Sequence, residues 1–503
     1  MAFVQNVPFF SIILSMFSGI ISSVLPEKAA KWLNTAVITL VGAMSAWLLS
    51  FMVKTGGSYT FMMGHFPAPW GNEIRAGALE AAMALIFSVI MLLSLLGGRK
   101  KLKEEVEITK HNIYYILTDL LLSSLLALIY TNDLFTAYVF VEINTISACG
   151  LIMIRQNGRT IEAAVRYMIM SLLGSGLLLL GICMLYDLTG HLLMSNIKES
   201  VALIVQEETY HIPVIVTIGL MTVGLSIKSA LFPFHSWLPD AYGYSTVSSA
   251  AMLSSLVSKG YLFLLIKIFY RVIGIETIID CGILNVLFVF GLCAMIFGSV
   301  SAIWENDIRR MIAFSSVAQI GYIYMGFGLG TTAGMLASIY HIMAHAATKS
   351  LLFISAIGLT DASGGSRHFQ ELTGSAYRNK IAALGFTVGS LSMVGIPCFA
   401  GFVTKVLFAQ AAISVPTGKI YPTVIVLAVS TILNTVYFLK TVIRIFIPEN
   451  KKVEEENGYL TFTVKQQYLY TAVIILFIIL NLCLGMMSKN ILAVIETGFL
   501  NFG

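Results

Sequence analysis

Gly224-Leu-Ser-Ile-Lys228-Ser-Ala-Leu-Phe-Pro233-Phe-His235-Ser-Trp237-Leu-Pro239-Asp240, followed by an apolar run that carries Lys259, decides how this chain folds. Lys228 lies deep in an apolar segment. A lysine there costs roughly 2.5–3.5 kcal/mol on insertion scales and normally faces a partner or a wet cavity. Pro233 has no backbone N–H and breaks a helix. The backbone groups such a break frees survive in a membrane only inside protein or beside water. The stretch therefore combines a buried cation, a helix break and polar groups (His235, Asp240) at one end. Lys259 sits in the middle of the next apolar segment. The plain alternative is a lysine snorkelling from a helix end.

The rest of the chain fits that reading. Of 503 residues, 57% are hydrophobic and 11% charged, against about 25% charged in soluble domains. The expected class is an all-α integral membrane protein. No basic run is interleaved with aromatics, so nucleic acid is not an expected partner. Residues 7–25 lack a basic lead and a small-residue cleavage site, and read as a retained helix. Cys149, Cys183, Cys281, Cys293, Cys398 and Cys483 are scattered through apolar segments with no Cys-x-x-Cys pair. Cluster ligation needs grouped ligands, so no cofactor is expected in this chain, and any redox chemistry belongs to another subunit.

A spanning helix needs about 20 apolar residues. On that ruler about fourteen spans are expected: 7–25, 32–53, 77–98, 112–130, 134–154, 162–186, 212–234, 246–270, 281–303, 311–329, 332–358, 381–409, 421–446 and 466–487. Loops after odd-numbered spans hold about eighteen lysines and arginines, and even loops and termini about six, Arg271 among them. Odd loops, with Arg99, Lys100, Lys101, Lys103, Arg309, Arg310, Lys451 and Lys452 among them, are expected to be cytoplasmic. Both termini then lie outside a cell membrane. The loop at 54–76, with Gly56-Gly57 and Pro67-Ala-Pro69-Trp70, reads as an external turn-rich segment.

Ionisable residues inside spans mark function by default. Arg166, Lys267 and Lys440 are near span ends and are expected to snorkel. Lys228, Lys259, Lys349 and Lys405 are not. Glu142 is a mid-span carboxylate, read as a functional acid. Asp119 reads equally as functional or structural, and Glu80 as structural. Span 10 offers only Ser315, Ser316 and Gln319, after an Asp307-Ile-Arg309-Arg310 lead-in read as a cytoplasmic anchor. His341, His345 and Lys349 recur at i, i+4 and i+8, on one helix face. A proton relay, satisfied structural polars and a metal site are the three readings. Span 12 again joins a proline to a buried lysine, in Gly395-Ile-Pro397-Cys398-Phe-Ala-Gly401-Phe-Val-Thr404-Lys405. Two interrupted helices point to an inverted repeat around a midplane pathway. The expected units are an N-terminal three-helix segment and loop (1–111), a first five-helix repeat (112–275), a second, inverted repeat (276–447), and a C-terminal loop and helix (448–503).

At these motifs the chain resembles a known family. Lys228-x4-Pro233-x-His235-x-Trp237-Leu-Pro239-Asp240-Ala241 with Lys259 is similar to the signature of antiporter-like subunits. These occur in respiratory complex I, Mrp-type sodium/proton antiporters and membrane-bound hydrogenases. Further matches are Asp307 to Ser316, His345-Ala-Ala-Thr-Lys349, and Gly395-Ile-Pro397 to Lys405. The resemblance covers roughly residues 110–445. It implies fourteen helices, two inverted five-helix repeats with helices 7 and 12 broken, and a hydrated polar axis across the membrane. It also implies that Glu142 pairs with Lys228, Lys259 connects onward, His345 and Lys349 continue, and Lys405 opens to the far side. Lysine at 405, where some complex I relatives have glutamate, leans towards the Mrp D type. Thr246 and Cys398 depart from the pattern, standing where prolines are usual. The long lateral helix of the largest complex I relative is not expected.

The expected function is proton translocation along a Glu/Lys/His axis in one membrane subunit of a hydrogenase, Mrp or complex I-like assembly. Sodium is expected to travel through neighbouring subunits, if at all. Competing readings are a complex I-like NADH or ferredoxin:quinone oxidoreductase subunit, a scaffold that transports nothing, and a standalone cation transporter.

Overall fold

Residues 2–63, 66, 71–207, 210–415, 418–448 and 460–502 are described by a computed structural model. The Pro67–Trp70 turn and Lys451 and Lys452 of the loop-charge argument lie outside them.

Apolar runs become helices where their ends are capped. Asp133 accepts from Thr136 N at the start of α5 (Leu134–Met153). Asn157 accepts from Thr160 N before α6 (Gly158–Thr189), which Gly190 closes at φ +71°. Asp307 and Thr331 cap α10 (Ile308–Gly328) and α11 (Thr332–Asp361). A short polar side chain at each start satisfies backbone donors that the helix itself leaves free. Before these run α1 (Val7–Ser22), α2 (Glu27–Thr55), α3 (Ala78–Gly97) and α4 (His111–Tyr130). Between them lie α7a (His211–Lys228), α7b (Leu238–Tyr244), α8 (Val247–Ile273) and α9 (Ile283–Trp304). After them come α12a (Lys380–Val394), α12b (Ala400–Ile413), α13 (Ile420–Phe446), α14 (Tyr468–Met486) and α15 (Ser488–Leu500).

Among the described residues, twelve helices are long and apolar enough to cross a membrane. The expected first span is shorter, at 16 residues. The expected twelfth is two pieces of 15 and 14 residues. The expectation of fourteen full spans is therefore not met by length alone. The fold is otherwise the anticipated all-α membrane bundle, except that the 54–76 loop forms a small antiparallel hairpin. In it, Tyr59–Met62 pairs with Glu73–Ala76.

Burial orders the helices. The apolar windows of α8 and α11 are wholly buried and that of α10 nearly so, whereas only a third of those of α2 and α13 is. The polar spans thus form the centre, and apolar side chains such as Ile169, Leu172 and Leu173 face outward, as a lipid solvent requires. Close approach of α9 and α10 depends on small residues: a Cβ on Gly321 would stand 2.6 Å from Gly291 O.

Both chain ends meet the hairpin loop. Tyr59 Oη donates to Val4 O (3.3 Å), Arg75 to Asn501 O (2.6 Å) and Asn501 to Gly56 O (3.0 Å). The termini therefore share one side of the bundle.

Candidate functional site

Helix α7a ends on Lys228 itself. The chain then turns through Ala230 (φ +62°) and a cis Phe232–Pro233 bond before a 3₁₀ turn leads into α7b. Lys228 is 1% exposed. Its Nζ lies 3.8 Å from Glu142 Oε1 and donates to Thr145 Oγ1 at 2.8 Å. Ser171 Oγ is at the limit of reach, 3.5 Å, and the Tyr261 ring lies 5.4 Å away. Glu142 and Thr145, three residues apart on α5, thus present one face to the lysine. The ammonium sits between a hydroxyl it holds and a carboxylate it has not closed upon, an arrangement that can open or close by a small movement.

Lys259 is fully buried in α8 and donates to Ser254 O. Residues Leu253–Val257 form a π-helical turn. Such a turn displaces the regular i to i+4 ladder, and the lysine takes the carbonyl five residues behind it. Hydroxyls continue from there: Ser254 to Ser316 at 3.1 Å, Ser255 to Ser350 at 2.8 Å and Ser350 to Ser94 at 3.1 Å.

On α11, His341 and His345 stack with parallel rings 5.7 Å apart. Both are buried, and all four ring nitrogens lack a protein partner. They line a cavity of about 10 Å³ with Gln319, Thr348, Thr404 and Lys405, about the space one water needs. Lys259 and Lys349 are electrostatic neighbours of both histidines, and Lys405 of His341. The histidine pair therefore lies among Lys259, Lys349 and Lys405. Lys349 is fully buried and donates to Ile312 O (2.9 Å) and to Ser315 Oγ on α10.

Lys405 is half-buried near the start of α12b and reaches back across the break. It donates to Val394 O, the last residue of α12a, and to Thr431 Oγ1 on α13 at 2.9 Å. Gly395 (φ +91°) makes room, since a Cβ there would stand 2.9 Å from the lysine stem. Cys398, in the place of the usual proline, takes φ +77°. Thr246, the other departure, caps α8 by accepting from Ser249 N.

The structure thus buries Lys228, Lys259, His341, His345 and Lys349 in the interior, with Glu142 (25% exposed) and Lys405 only partly buried. Pro233 and Pro397 instead lie exposed on the outer side of their breaks, with His235 partly buried beside Pro233. Among the described residues, no three His, Cys, Asp or Glu side chains come together in a metal-binding group.

Several expectations need correction. Lys267 does not snorkel: it is fully buried and caps the end of α4, donating to Leu128 O (2.9 Å) and Thr131 O (2.7 Å). Those terminal carbonyls have no helical N–H to accept from, so they provide what the interface was expected to. Arg271 is no loop charge but a 2% exposed partner of Glu80. Arg309 is no surface anchor: at 1% exposure it donates to Tyr242 O (3.2 Å) and Ser245 O (2.5 Å). Arg367 donates to Gly243 O (2.9 Å) and Arg155 to Tyr244 O (3.3 Å). Four consecutive carbonyls at the end of α7b are thereby held by arginines. Asp119, read equally as functional or structural, accepts from Ser18 and Asn34 at 2.8 Å each. Sequence reasoning missed Thr145 and Ser315 as lysine partners. The signals were Thr145 one turn beyond Glu142, and the adjacent Ser315 and Ser316 in the otherwise uncharged span 10.

A family described as "NADH:quinone oxidoreductase/Mrp antiporter, TM" matches residues 131–433. The chain is 29% identical over 440 residues to NADH-quinone oxidoreductase subunit N of Desulforudis audaxviator, covering 87% of this chain and 86% of that one. It is 30% identical over 392 residues to a Staphylococcus epidermidis protein named as antiporter subunit mnhD2, covering 77% and 75%. Two solved structures share the fold. A chain of the Mrp complex from Dietzia sp. DQ12-45-1b superposes with a TM-score of 0.87, and one of the archaeal membrane-bound sulfane sulfur reductase (MBS) with 0.86. Each is 23% identical, over 100% of this chain and 98% of the other.

Proposed function

Because the chain belongs to the NADH:quinone oxidoreductase/Mrp antiporter membrane family, we propose that it is a proton-translocating subunit of a multisubunit membrane complex, working through the Glu142–Lys228–Lys259–His341/His345–Lys349–Lys405 series. The observation that carries this reading is the Lys228–Glu142 pair, left at 3.8 Å where α7a breaks. A buried lysine and the partly buried glutamate beside it share their protons as a pair. When Glu142 swings away, the charge that holds the proton on Lys228 is gone and the proton moves towards Lys259. When the pair closes, Lys228 reloads. The unpartnered imidazoles beside the water-sized cavity support a hydrated link between Lys259 and Lys405.

We propose the two five-helix units at 112–275 and 276–447 as the repeats, with α7 and α12 as their broken members. The loop charges favour cytoplasmic odd loops in a cell membrane, with both termini outside. We assign no redox centre to this chain, in keeping with its scattered cysteines. The hydrogenase and Mrp branch is the preferred host, on Lys405, which stands where some complex I relatives have glutamate. The alternative is a complex I-like host, favoured by the 87% coverage of this chain in its likeness to a subunit N.

The test has two parts. Mass identification of proteins that co-purify with this chain from native membranes names the host. Nickel–iron and iron–sulfur subunits would indicate a redox-driven pump, and small hydrophobic partners alone an antiporter. In liposomes holding that complex, Lys349→Met is expected to assemble normally and to collapse proton movement read by a pH-sensitive dye. Undiminished movement would support the scaffold reading instead.

A further inference from the structure

A second polar site lies at the edge of the bundle, away from the proton axis. A cavity of about 330 Å³ opens where α3 ends, α11 ends and α14 begins. That volume is at the lower end of small-molecule sites, about 300–1,000 Å³. Its walls are apolar where the spans supply them, at Leu96, Ile357 and Leu469. Its rim carries Arg99, Lys100, Lys101 and Lys103 against one carboxylate, Asp361.

Among the described residues, Lys101 is the one of these four cations that forms ion pairs. Lys101 pairs with Asp361 at 2.6 Å and Glu104 at 3.1 Å. Burial pulls its ammonium down, and the hydrogen bonds and charges of those two carboxylates outweigh burial, so the net shift is upward and it stays charged. Arg99 and Lys100 lie over aromatic rings, Trp32 at 5.3 Å and Phe462 at 5.6 Å. Such contacts fix a cation and leave its N–H donors free. Among the described residues, no carboxylate lies within ion-pair distance of Arg99, Lys100 or Lys103.

Three spanning helices end at this cavity, so it sits at headgroup depth, with Tyr468 and Tyr470 at the boundary as interfacial aromatics usually are. Basic pockets between spans at this level suit anionic lipid heads. We propose that the cavity binds the phosphodiester head of an anionic phospholipid, with Arg99, Lys100 and Lys103 holding the phosphate and the acyl chains leaving along α3 and α14. Free phosphate shares the head chemistry but has no use for the apolar walls. The site abuts Gly358 and Asp361, the last turn of the helix that carries His341, His345 and Lys349. A lipid there would steady the foot of that helix.

Native mass spectrometry of the intact complex tests this, with phosphatidylglycerol, phosphatidylcholine or inorganic phosphate added. Wild type is expected to retain phosphatidylglycerol through detergent exchange and to take neither of the others in its place. The combined Arg99→Gln, Lys100→Gln and Lys103→Gln variant should bind it about a hundredfold more weakly, since each surface cation contributes about fivefold. Leu469→Trp, which fills the cavity and leaves all four cations, should lose it too. Equal phosphatidylglycerol retention by the triple variant and by Leu469→Trp, equal retention of phosphatidylcholine by wild type, or saturation by inorganic phosphate would each overturn the proposal.

Discussion

Lys228→Met, made in the intact complex, is expected to end proton movement through this chain while leaving the complex assembled. Methionine keeps an unbranched stem of similar bulk in a site that is 1% exposed. Swaps that conserve volume usually cost less than about 1.5 kcal/mol. The ammonium that meets Glu142 and Thr145 is lost, and with it the step that loads Lys259. In liposomes carrying the complex, the dye signal should fall to the level of empty vesicles. Glu142→Gln should match it from the other side, because the lysine then keeps its hydroxyl partner at 2.8 Å but loses its carboxylate. Normal transport by either variant would remove the pair from the mechanism.

Glu80→Gln is expected to have the largest effect on stability. Glu80 and Arg271 are 1% and 2% exposed and form an ion pair. Glu80 also accepts from Gly77 N at 3.0 Å, and Arg271 donates to Phe502 O and lies 3.9 Å from the Phe502 ring. This cluster joins α3, the end of α8 and the C-terminal residues. Removing one member of a buried pair strands the other and costs about 3–5 kcal/mol, whereas replacing both with apolar residues is often neutral. The complex carrying Glu80→Gln should lose its monodisperse peak on gel filtration at a lower temperature than wild type. Glu80→Leu with Arg271→Met should recover most of the loss. An unchanged midpoint for the single variant would mean that the pair adds nothing to stability.

Much of this architecture is written in the sequence where a residue type is costly. A lysine in an apolar run must have a partner, and Lys228, Lys259, Lys349 and Lys405 all have one in the interior. A proline in such a run must break the helix, and α7 and α12 do break beside Pro233 and Pro397. What the sequence leaves open is the identity of those partners. Backbone carbonyls carry no letter of their own, so nothing marks Leu128, Thr131, Ser254, Ile312 or Val394 as acceptors. The same blindness misplaces Lys267, Arg271 and Arg309. Each is near an end of a span, where charge usually means water, yet each finds carbonyls or a carboxylate inside. The hairpin at 59–76 escapes notice because its strands are four residues long, below the length at which an alternating pattern becomes visible.

The π turn ahead of Lys259 bears on how this helix tolerates change. Each residue of an α-helix advances the side-chain direction by about 100°, and a π turn holds one residue more than the regular winding needs. Deleting one residue of 253–257 would let the winding become uniform and leave the segments on either side close to their present phase, because the turn already absorbs that residue. Inserting a residue between Val257 and Lys259, where no such slack remains, would instead swing the lysine by about 100° with its own chemistry intact. Helix α8 should accordingly accept a deletion within the π turn more readily than an insertion beyond it: the turn is a stored slip that keeps the lysine in phase.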